Sequence, residues 1–471
     1  MGDWSRFRLE IIAMILVCAG TAAAQDNQTQ KLDSQFQSAV ADYDAGKFAE
    51  AAAQLEGLLP YAQRSFEVHE LLGLVYASQS EDAKAVEQLE IAARLKPDSA
   101  TARTNLAAAL SRSGKNELAG EQFQKALGLA PRDYEANHNL GEFYIQSGKL
   151  AAARPLLEEA QRINPASYDN GYDLAQLDLL TGQLAEARQL AHDLLKQKNT
   201  GEVHNLLGHI EEKDGKFLDA ANEFEVASHI DPSEENLFDW GSEYLLHRTY
   251  EPSIDIFQQA IARYPKSPRL YVGLGMAMYS RGKYEEAVKA LLTAADLDPT
   301  DPRCYLFLSK AYSSSPGQAD DVIQRFRHYA ELQPGNALAQ YYYAMSLWKG
   351  KRVEDAAVDF QTVESLLQKS IALDGKLPQA HLQLGILYAD RHEYPKSLPE
   401  YQRALALNPD LADAHYRLGQ YYVRAGEKDK AQAEFDTYQR LQAQHLAEVD
   451  KERAEVQQFI YSAKAAPSAR P

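Results

Sequence analysis

A phrase that repeats with a period of 34 residues constrains the fold of this chain more than any other sequence feature. Each copy ends at a proline, and the marked prolines are 34, 34, 67, 33, 34 and 110 residues apart. The interval of 67 is 34 plus 33, and the interval of 110 is three units of 34 plus 8 extra residues. These prolines are Pro97, Pro131, Pro165, Pro232, Pro265, Pro299 and Pro409. A unit of this length cannot bury its apolar side alone, so the period predicts helix-turn-helix units that stack on their neighbours.

The copy at residues 268 to 301 shows how one unit divides into two helices. Apolar and small residues of its first helix recur at i, i+3, i+4 and i+7, at Tyr271, Leu274, Gly275 and Met278. A second helix carries Tyr284, Ala287, Leu291 and Ala294 on one face. Gly282 is expected to end the first helix and Pro299 the second. Every residue type in the copy therefore has a local structural role.

The repeated residues resemble those of the tetratricopeptide repeat (TPR) family. Matching residues include Leu72, Gly73, Tyr76, Ala85, Ala92 and Pro97 in one copy, and Leu140, Gly141, Tyr144, Ala153, Ala160 and Pro165 in another. A third copy has Leu384, Gly385, Tyr388, Tyr401, Ala404 and Pro409. The resemblance implies an all-α fold, an α-solenoid right-handed superhelix of about twelve helix-turn-helix repeats, in a protein of the exported bacterial type.

The register of the copies predicts the organisation of the whole chain. Twelve units are expected at 32–65, 66–99, 100–133, 134–167, 168–200, 201–233, 234–267, 268–301, 302–336, 337–377, 378–411 and 412–445. A signal peptide at 1–24 and a linker at 25–31 precede them, and a C-terminal capping helix at 446–464 and a disordered tail at 465–471 follow. The extra residues near 359–366 either lengthen a second helix or form a bulge.

The N-terminus has the layout of a secretory signal peptide. Arg6 and Arg8 precede an apolar stretch, and Ala22 to Ala24 supply the small residues of a cleavage site. We expect an exported protein of the periplasm or cell envelope, with no membrane span after cleavage, or with an N-terminal membrane anchor if the segment is retained. Only Cys304 then remains, so no internal disulfide can form.

Composition and motifs argue against several classes of function. The net charge of −18 and the lack of a long basic run argue against a nucleic-acid partner. No sequence motif of a metalloprotease, a thiol redox site, a phosphate loop or a serine hydrolase is present, and the repeats leave no segment for a catalytic domain. We therefore expect that the protein is not an enzyme and that it binds no cofactor.

Two histidine pairs on first helices have spacing compatible with a metal ion. His138 with Glu142, and His209 with Glu212, lie about one turn apart. No third or fourth ligand follows at a convincing spacing, so we interpret both pairs as part of a polar helix face and predict no metal site.

In the resembled family the first helices line a concave face along which partners lie. The corresponding residues of early units are polar, namely Glu67, Glu70, Thr101, Thr104, Ser111, Glu135, His138, Glu142, Asp169, Glu202, Asn205, His209 and Glu212. Those of later units form an apolar set, and its members proposed to bind a partner are Phe238, Val272, Met276, Tyr279, Leu306, Tyr341, Met345, Trp348, Leu382, Ile386 and Tyr416. The alternative is that these side chains seal against neighbouring first helices.

Three basic residues complete the candidate groove. Arg269 and Arg303 are one repeat apart, and Lys310 follows Arg303 by two helical turns, so the three could converge. Some members of the resembled family hold a partner's terminal carboxylate with such residues. The alternative is a solvated basic patch that balances acidic neighbours.

These observations predict a scaffold that binds a peptide or protein segment along its concave face. The alternative is a carrier or accessory subunit that binds a small ligand or glycan, with Tyr279, Tyr341 and Trp348 as stacking platforms.

Overall fold

A computed structural model describes residues 22–314, 318–349 and 359–444, and these residues form helices and no strands. The chain divides into two compact units, residues 1–199 and residues 200–471. The expected fold class is confirmed, since successive helices pack in pairs as an all-α helical-repeat solenoid. None of the described helices combines the length and hydropathy needed to cross a membrane.

The first unit contains five described helix pairs. In chain order the helices are α1 Ala22–Asp44, α2 Phe48–Leu58, α3 Phe66–Ser78, α4 Asp82–Leu95, α5 Ala100–Arg112, α6 Asn116–Leu129, α7 Tyr134–Gln146, α8 Leu150–Ile163, α9 Tyr168–Thr181 and α10 Leu184–Gln197. Odd-numbered helices are the first helices of their pairs, and each packs against the second helix that follows it.

The second unit contains seven described pairs. Its helices are α11 Gly201–Lys213, α12 Phe217–Ile230, α13 Glu234–Leu246, α14 Tyr250–Arg263, α15 Pro268–Arg281, α16 Tyr284–Leu297, α17 Pro302–Ser314, α18 Ala319–Leu332, α19 Ala337–Lys349, α20 Phe360–Leu373, α21 Pro378–Asp390, α22 Tyr394–Leu407, α23 Ala412–Arg424 and α24 Lys428–Ala443.

Side-chain caps fix where many first helices begin. The hydroxyl oxygen of Ser65 accepts a hydrogen bond from the Val68 amide, and that of Ser99 accepts one from the Ala102 amide. Such a cap satisfies one of the amides that a helix leaves unpaired in its first turn. In these pairs the recurring serine, threonine or aspartate therefore sets where the first helix begins.

In ten of the twelve described pairs, the turn between the two helices contains a residue in the left-handed region. Gly282 has a φ of 87°, and glycine adopts this conformation without steric cost. At the same place in three other pairs the residue is Ser80, Arg248 or His392, each with a φ of 61°. These three turns carry strain that a glycine would avoid.

A second glycine allows the two helices of a pair to approach closely. A Cβ atom on Gly73 would lie 2.5 Å from the Leu89 side chain, and one on Gly275 would lie 2.6 Å from that of Leu291. The large residue of the second helix thus fills the space that the glycine of the first helix leaves open.

Apolar residues between the helices form the cores of both units. In the first unit one buried cluster extends from Phe36 to Phe143, and a smaller one joins Ala153, Leu157, Leu174 and Leu177. In the second unit the largest cluster extends from Leu237 to Ala339. Each helix pair therefore shares its core with neighbouring pairs, as expected of stacked repeats.

The structure differs from the predicted organisation at two places. Residues 25–31, expected to form a linker, lie within α1. Helix α20 begins at Phe360, is capped by Asp359 and has 14 residues like most second helices, so a lengthened second helix at 359–366 is wrong. The extra residues precede it, at 350–358, outside the described part. Residues 1–21 of the predicted signal peptide, the capping helix at 446–464 and the tail at 465–471 also lie outside it.

Candidate interaction surface

The apolar residues predicted to bind a partner recur at fixed places of first helices, five, nine or twelve residues after the N-cap. We call these places the first-helix stripe. After Ser267 the stripe of α15 consists of Val272, Met276 and Tyr279; after Asn336 that of α19 consists of Tyr341, Met345 and Trp348. Intervals of four and three residues place them on one side of a helix.

Four of the predicted residues belong to the core. Phe238 and Val272 are fully buried, and Met276 and Leu382 are 1% and 3% exposed. The Phe238 ring lies 5.9 Å from the Phe257 ring, and the Arg269 guanidinium lies 5.1 Å above it. Their expected exposure is wrong, because neighbouring helices cover these side chains. These four side chains therefore do not form part of an exposed groove.

The other predicted apolar residues retain accessible surface. Tyr279, Leu306, Tyr341, Met345, Trp348 and Ile386 are half-buried, and Tyr416 is 38% exposed. We call Tyr341, Met345, Trp348, Ile386 and Tyr416, which lie on three successive first helices, the aromatic stripe.

Packing beneath the aromatic stripe fixes its side chains. Tyr341 and Trp348 pack partly against the buried cluster that contains Val363 and Leu367. The Tyr416 ring lies 5.1 Å from the Tyr438 ring. Burial raises the pKa of Tyr341 to about 12. The Tyr341 hydroxyl therefore lies in a largely desolvated environment.

Two of the three predicted basic residues come together. Arg269 and Arg303 line a pocket of about 270 Å³, whereas Lys310 is not among its lining residues and lies 5.8 Å from the Phe307 ring. Glu234, Lys266, Ser267, Pro268, Asp298 and Asp301 complete the lining. The expected convergence of all three cations is therefore wrong for Lys310.

Carboxylates neutralise the two arginines in this pocket. The Arg269 Nε donates to Glu234 Oε1 at 2.5 Å, and the Arg303 guanidinium donates to both carboxylate oxygens of Asp301. The hydrogen bonds to Asp301 raise the pKa of Arg303 above its usual value. Such paired cations fit the balanced patch better than a carboxylate clamp.

Carboxylates of the first unit occupy equivalent stripe places. Glu70 is 3% exposed, and its Oε1 accepts a hydrogen bond from Asn105 Nδ2 at 3.1 Å. Burial raises the pKa of Glu70 to about 7. For neighbouring Glu67, burial acts in the same direction, but hydrogen bonds, above all from Lys96, outweigh it and lower the pKa. The two carboxylates are therefore in opposite electrostatic environments.

Both predicted histidine pairs meet an aspartate of the next first helix. His138 Nε2 lies 2.9 Å from Asp173 Oδ2, and His209 Nε2 lies 3.3 Å from Asp239 Oδ2. Within the described ranges no group of three or more His, Cys, Asp or Glu side chains could hold a metal ion. The histidines thus take part in contacts between helix pairs.

Sequence reasoning missed a hydrogen bond that recurs within helix pairs. His204, His381 and His415 each place Nδ1 within 2.5 to 2.7 Å of a glutamate 19 residues later, at Glu223, Glu400 and Glu434. These histidines follow their N-cap residues by four places, one place before the stripe. The repeated interval of 19 residues between histidine and glutamate was the signal that could have revealed this contact.

Comparison with known proteins identifies the repeats. Models described as tetratricopeptide repeat match residues 36–100 and 104–168, residues 145–210 and 248–311, and residues 412–445. A further model described as TPR repeat matches residues 387–426. No curated protein matches the chain in sequence.

Several solved structures are similar to this chain. A TPR protein from Parabacteroides merdae is 16% identical over 60% of this chain and 99% of its own, with a TM-score of 0.43. The APC/C hetero-tetramer Cut9-Hcn1 gives 15% identity over 95% and 97% of the two chains, with a TM-score of 0.40. Pseudomonas aeruginosa pilF is 20% identical over 45% of this chain and 96% of its own, with a TM-score of 0.39.

The four family models together match more than half of the chain, with matched residues in both units. The chain belongs to the tetratricopeptide repeat family.

Proposed function

We propose that the chain is a non-enzymatic scaffold that holds a peptide or protein segment along the aromatic stripe. TPR repeats are protein-interaction modules, and membership of the family supports a protein-interaction scaffold in general. The family resemblance implies that first helices line a concave face. The assignment of binding to the aromatic stripe on these helices is our own.

The observation that carries the assignment is a run of accessible apolar side chains on three successive first helices. Tyr341, Met345 and Trp348 lie on α19, Ile386 lies on α21 and Tyr416 lies on α23. Elsewhere in the second unit, Phe238, Val272 and Met276 are buried at equivalent places. Apart from Tyr279 and Leu306, which are half-buried, the accessible residues of the predicted apolar set therefore lie near the C-terminal end of the described array.

The chemistry of the aromatic stripe suits a polypeptide segment with apolar side chains. Tyrosine and tryptophan offer large contact areas with few rotatable bonds, and methionine adapts to side chains of different shape. Packing against the core limits the side-chain entropy lost on binding. The stripe thus offers a preorganised site for a peptide or helix.

The proposal is tested by replacing the two largest aromatic side chains together. Full-length protein with Trp348→Ala and Tyr416→Ala is compared with the unmodified protein in affinity purification from cell-envelope extracts, followed by mass spectrometry. We expect partners captured by the unmodified protein to be lost from the double variant, because aromatic side chains contribute most of the binding energy at such sites.

A matched control removes exposed apolar side chains outside the stripe. Leu118 and Leu218, on second helices, are 48% and 70% exposed, and Leu118→Ala with Leu218→Ala should leave capture unchanged. Equal capture by both double variants would contradict the assignment to the aromatic stripe. Loss of glycan binding in calorimetry, with peptide capture retained, would instead support the small-ligand alternative.

We also propose that the protein acts outside the cytoplasm, in the periplasm or cell envelope. The arginines, apolar stretch and alanines of residues 1–24 support this proposal. Cell fractionation with N-terminal sequencing tests it; a cytoplasmic protein that retains Met1 would contradict it.

A further inference from the structure

Polar groups dominate one junction between helix pairs of the first unit. The fourth pair, α7 and α8, packs against the fifth pair, α9 and α10, and two of the polar contacts join first helices or their caps. The hydroxyl oxygens of Tyr134 and Ser167 lie 2.6 Å apart, and His138 Nε2 lies 2.9 Å from Asp173 Oδ2. We call this contact region the polar junction.

The second helix of the fourth pair adds further polar contacts. An Arg154 guanidinium nitrogen donates to Asp178 Oδ1 at 2.5 Å. Asn170 donates through Nδ2 to the Leu157 carbonyl oxygen at 3.0 Å and to Gln161 Oε1 at 2.8 Å. Asp178 is 3% exposed and Asn170 is fully buried, so separation of the pairs would change the solvation of both.

The preceding junction, between the third and fourth pairs, has a different character. Its Phe123 and Phe143 rings lie 5.3 Å apart within the long cluster that begins at Phe36. At the polar junction, the buried apolar cluster described by the structure is smaller and consists of Ala153, Leu157, Leu174 and Leu177. Apolar burial changes little with pH, whereas the attraction of a buried ion pair depends on protonation.

His138 is the titratable cation of the contact between first helices at this junction. Its ring stacks on the Tyr134 ring at a centroid distance of 5.3 Å. The charged groups that act on it are Asp173 of α9, and Glu142 and Glu135 of its own helix α7. No positive group opposes them among these interactions, so a protonated imidazole is attracted to the fifth pair through Asp173.

The electrostatic balance at His138 favours the protonated form. Burial alone would lower the pKa of His138, but the close contact with Asp173 and the nearby carboxylates outweigh burial and raise the pKa above its ordinary value of 6.5. The resulting stabilisation is complete below pH 6.5 and is lost as pH rises through the raised pKa of the folded protein.

We propose that the polar junction is a pH-sensitive hinge, closed when the His138–Asp173 contact is an ion pair and loosened when His138 is neutral. The contact between Arg154 and Asp178 holds α8 in register against α9. Loosening therefore weakens the packing of the fifth pair against the fourth. The two helices within each pair remain packed against each other.

Hydrogen exchange of the full-length protein at about pH 6 and about pH 8.5 tests this hinge. Exchange rates are corrected for the intrinsic effect of pH, and peptides from α8 and α9 are compared with peptides from α15 and α16, which contain no histidine. We expect corrected exchange in α8 and α9 to become at least about threefold faster at the higher pH, with little change in α15 and α16. An equal response in both regions, or no response in α8 and α9, would overturn the proposal.

Two variants separate the hinge from a general loss of stability. Asp173→Asn retains a side chain of similar size without the negative charge, and it should abolish the pH-dependent difference in α8 and α9. Asp82→Asn removes the more exposed contact of Asp82 with Arg112, 3.1 Å apart, and should leave the difference intact. A pH-dependent difference that persists in folded Asp173→Asn would exclude this ion pair as its cause. If that variant does not fold, the comparison of regions in the unmodified protein decides the question.

Discussion

Glu70 in the first unit and Val272 in the second occupy the same place, five residues after Ser65 and Ser267. Both are buried, at 3% and 0% exposure. Glu70 retains a carboxylate whose pKa burial raises to about 7, and Asn105 donates a hydrogen bond to it. Val272 belongs to the apolar core.

The comparison shows that this stripe place can be buried whatever residue occupies it. Polarity of the sequence therefore did not distinguish core from surface at this position. A carboxylate is tolerated in the first unit because a neighbouring helix supplies a hydrogen-bond donor, which partly compensates for lost hydration. A carboxylate at the position of Val272 in the second unit would require a comparable hydrogen-bond donor.

The largest expected effect comes from placing a carboxylate in the second unit with Val272→Glu. Without a dedicated donor, we expect the local free energy of unfolding to fall by about 3–5 kcal/mol at neutral pH. Native-state hydrogen exchange in α15 and α16 measures it. Val272→Gln controls for size and polarity, and equal losses for the two variants at about pH 8 would show that charge is not the cause.

A smaller effect of opposite sign is expected for Glu70→Gln. The native pKa of about 7 exceeds the ordinary value of 4.5, so the folded state favours the protonated carboxyl group, and stability falls as pH rises between these values. Removing the charge should stabilise the protein by about 2–3 kcal/mol at pH 8 and have little effect near pH 4.

Glu67→Gln is the matched control on the same helix. The pKa of Glu67 is lowered, so its ionised form stabilises the fold above pH 4.5, and this contribution is lost as pH falls through the lower folded value. Glu67→Gln should therefore destabilise the protein at pH 8. The interpretation of both carboxylates fails if the two variants shift stability in the same direction.

Glycine-to-alanine variants test whether the two helices of a pair pack in the same way in both units. Gly73 and Gly275 occupy the same place, and an added Cβ would lie about as close to Leu89 as to Leu291. We expect each variant to destabilise its own helix pair by about 1–2 kcal/mol, measured by hydrogen exchange. Gly128→Ala, with nothing within 4 Å of the added Cβ, should be neutral or stabilising. A cost confined to one unit would contradict a common packing arrangement.

The smallest effect is expected at the turns that lack glycine. Ser80 in the first unit and Arg248 in the second both adopt a φ of 61°. Ser80→Gly and Arg248→Gly should each stabilise the protein by about 0.5–1 kcal/mol, because relief of strain exceeds the added flexibility of the unfolded chain. Thermal unfolding measures this gain, and a loss in either variant would mean that the native side chain contributes more than the strain costs.

The repeat period predicted the all-α fold because the signals that define it are local. Ser99 caps α5 and Gly282 ends α15 in the expected conformation. The lengthened second helix was wrong, because Asp359 supplies a cap that starts α20 at the usual length. Helix boundaries depend on hydrogen bonds between residues that are close in sequence, so they can be predicted from the sequence.

Burial along the first-helix stripe could not be predicted in the same way. Phe238 and Tyr416 both looked like members of one apolar groove, yet Phe238 is fully buried and Tyr416 is 38% exposed. Their difference depends on side chains of other helices, such as Phe257 and Arg269 around Phe238. The partners of the candidate histidines were missed for the same reason, since Asp173 and Asp239 lie on the next first helix.

Methionine oxidation tests the aromatic stripe most directly, because the chain contains a matched pair. Met276 and Met345 both lie nine residues after an N-cap, but Met276 is 1% exposed and Met345 is half-buried. Under mild peroxide treatment we predict faster sulfoxide formation at Met345 than at Met276, and slower formation at Met345 once a captured partner is bound. Equal oxidation of the two, or no protection of Met345 by a bound partner, would contradict the aromatic stripe as the binding surface.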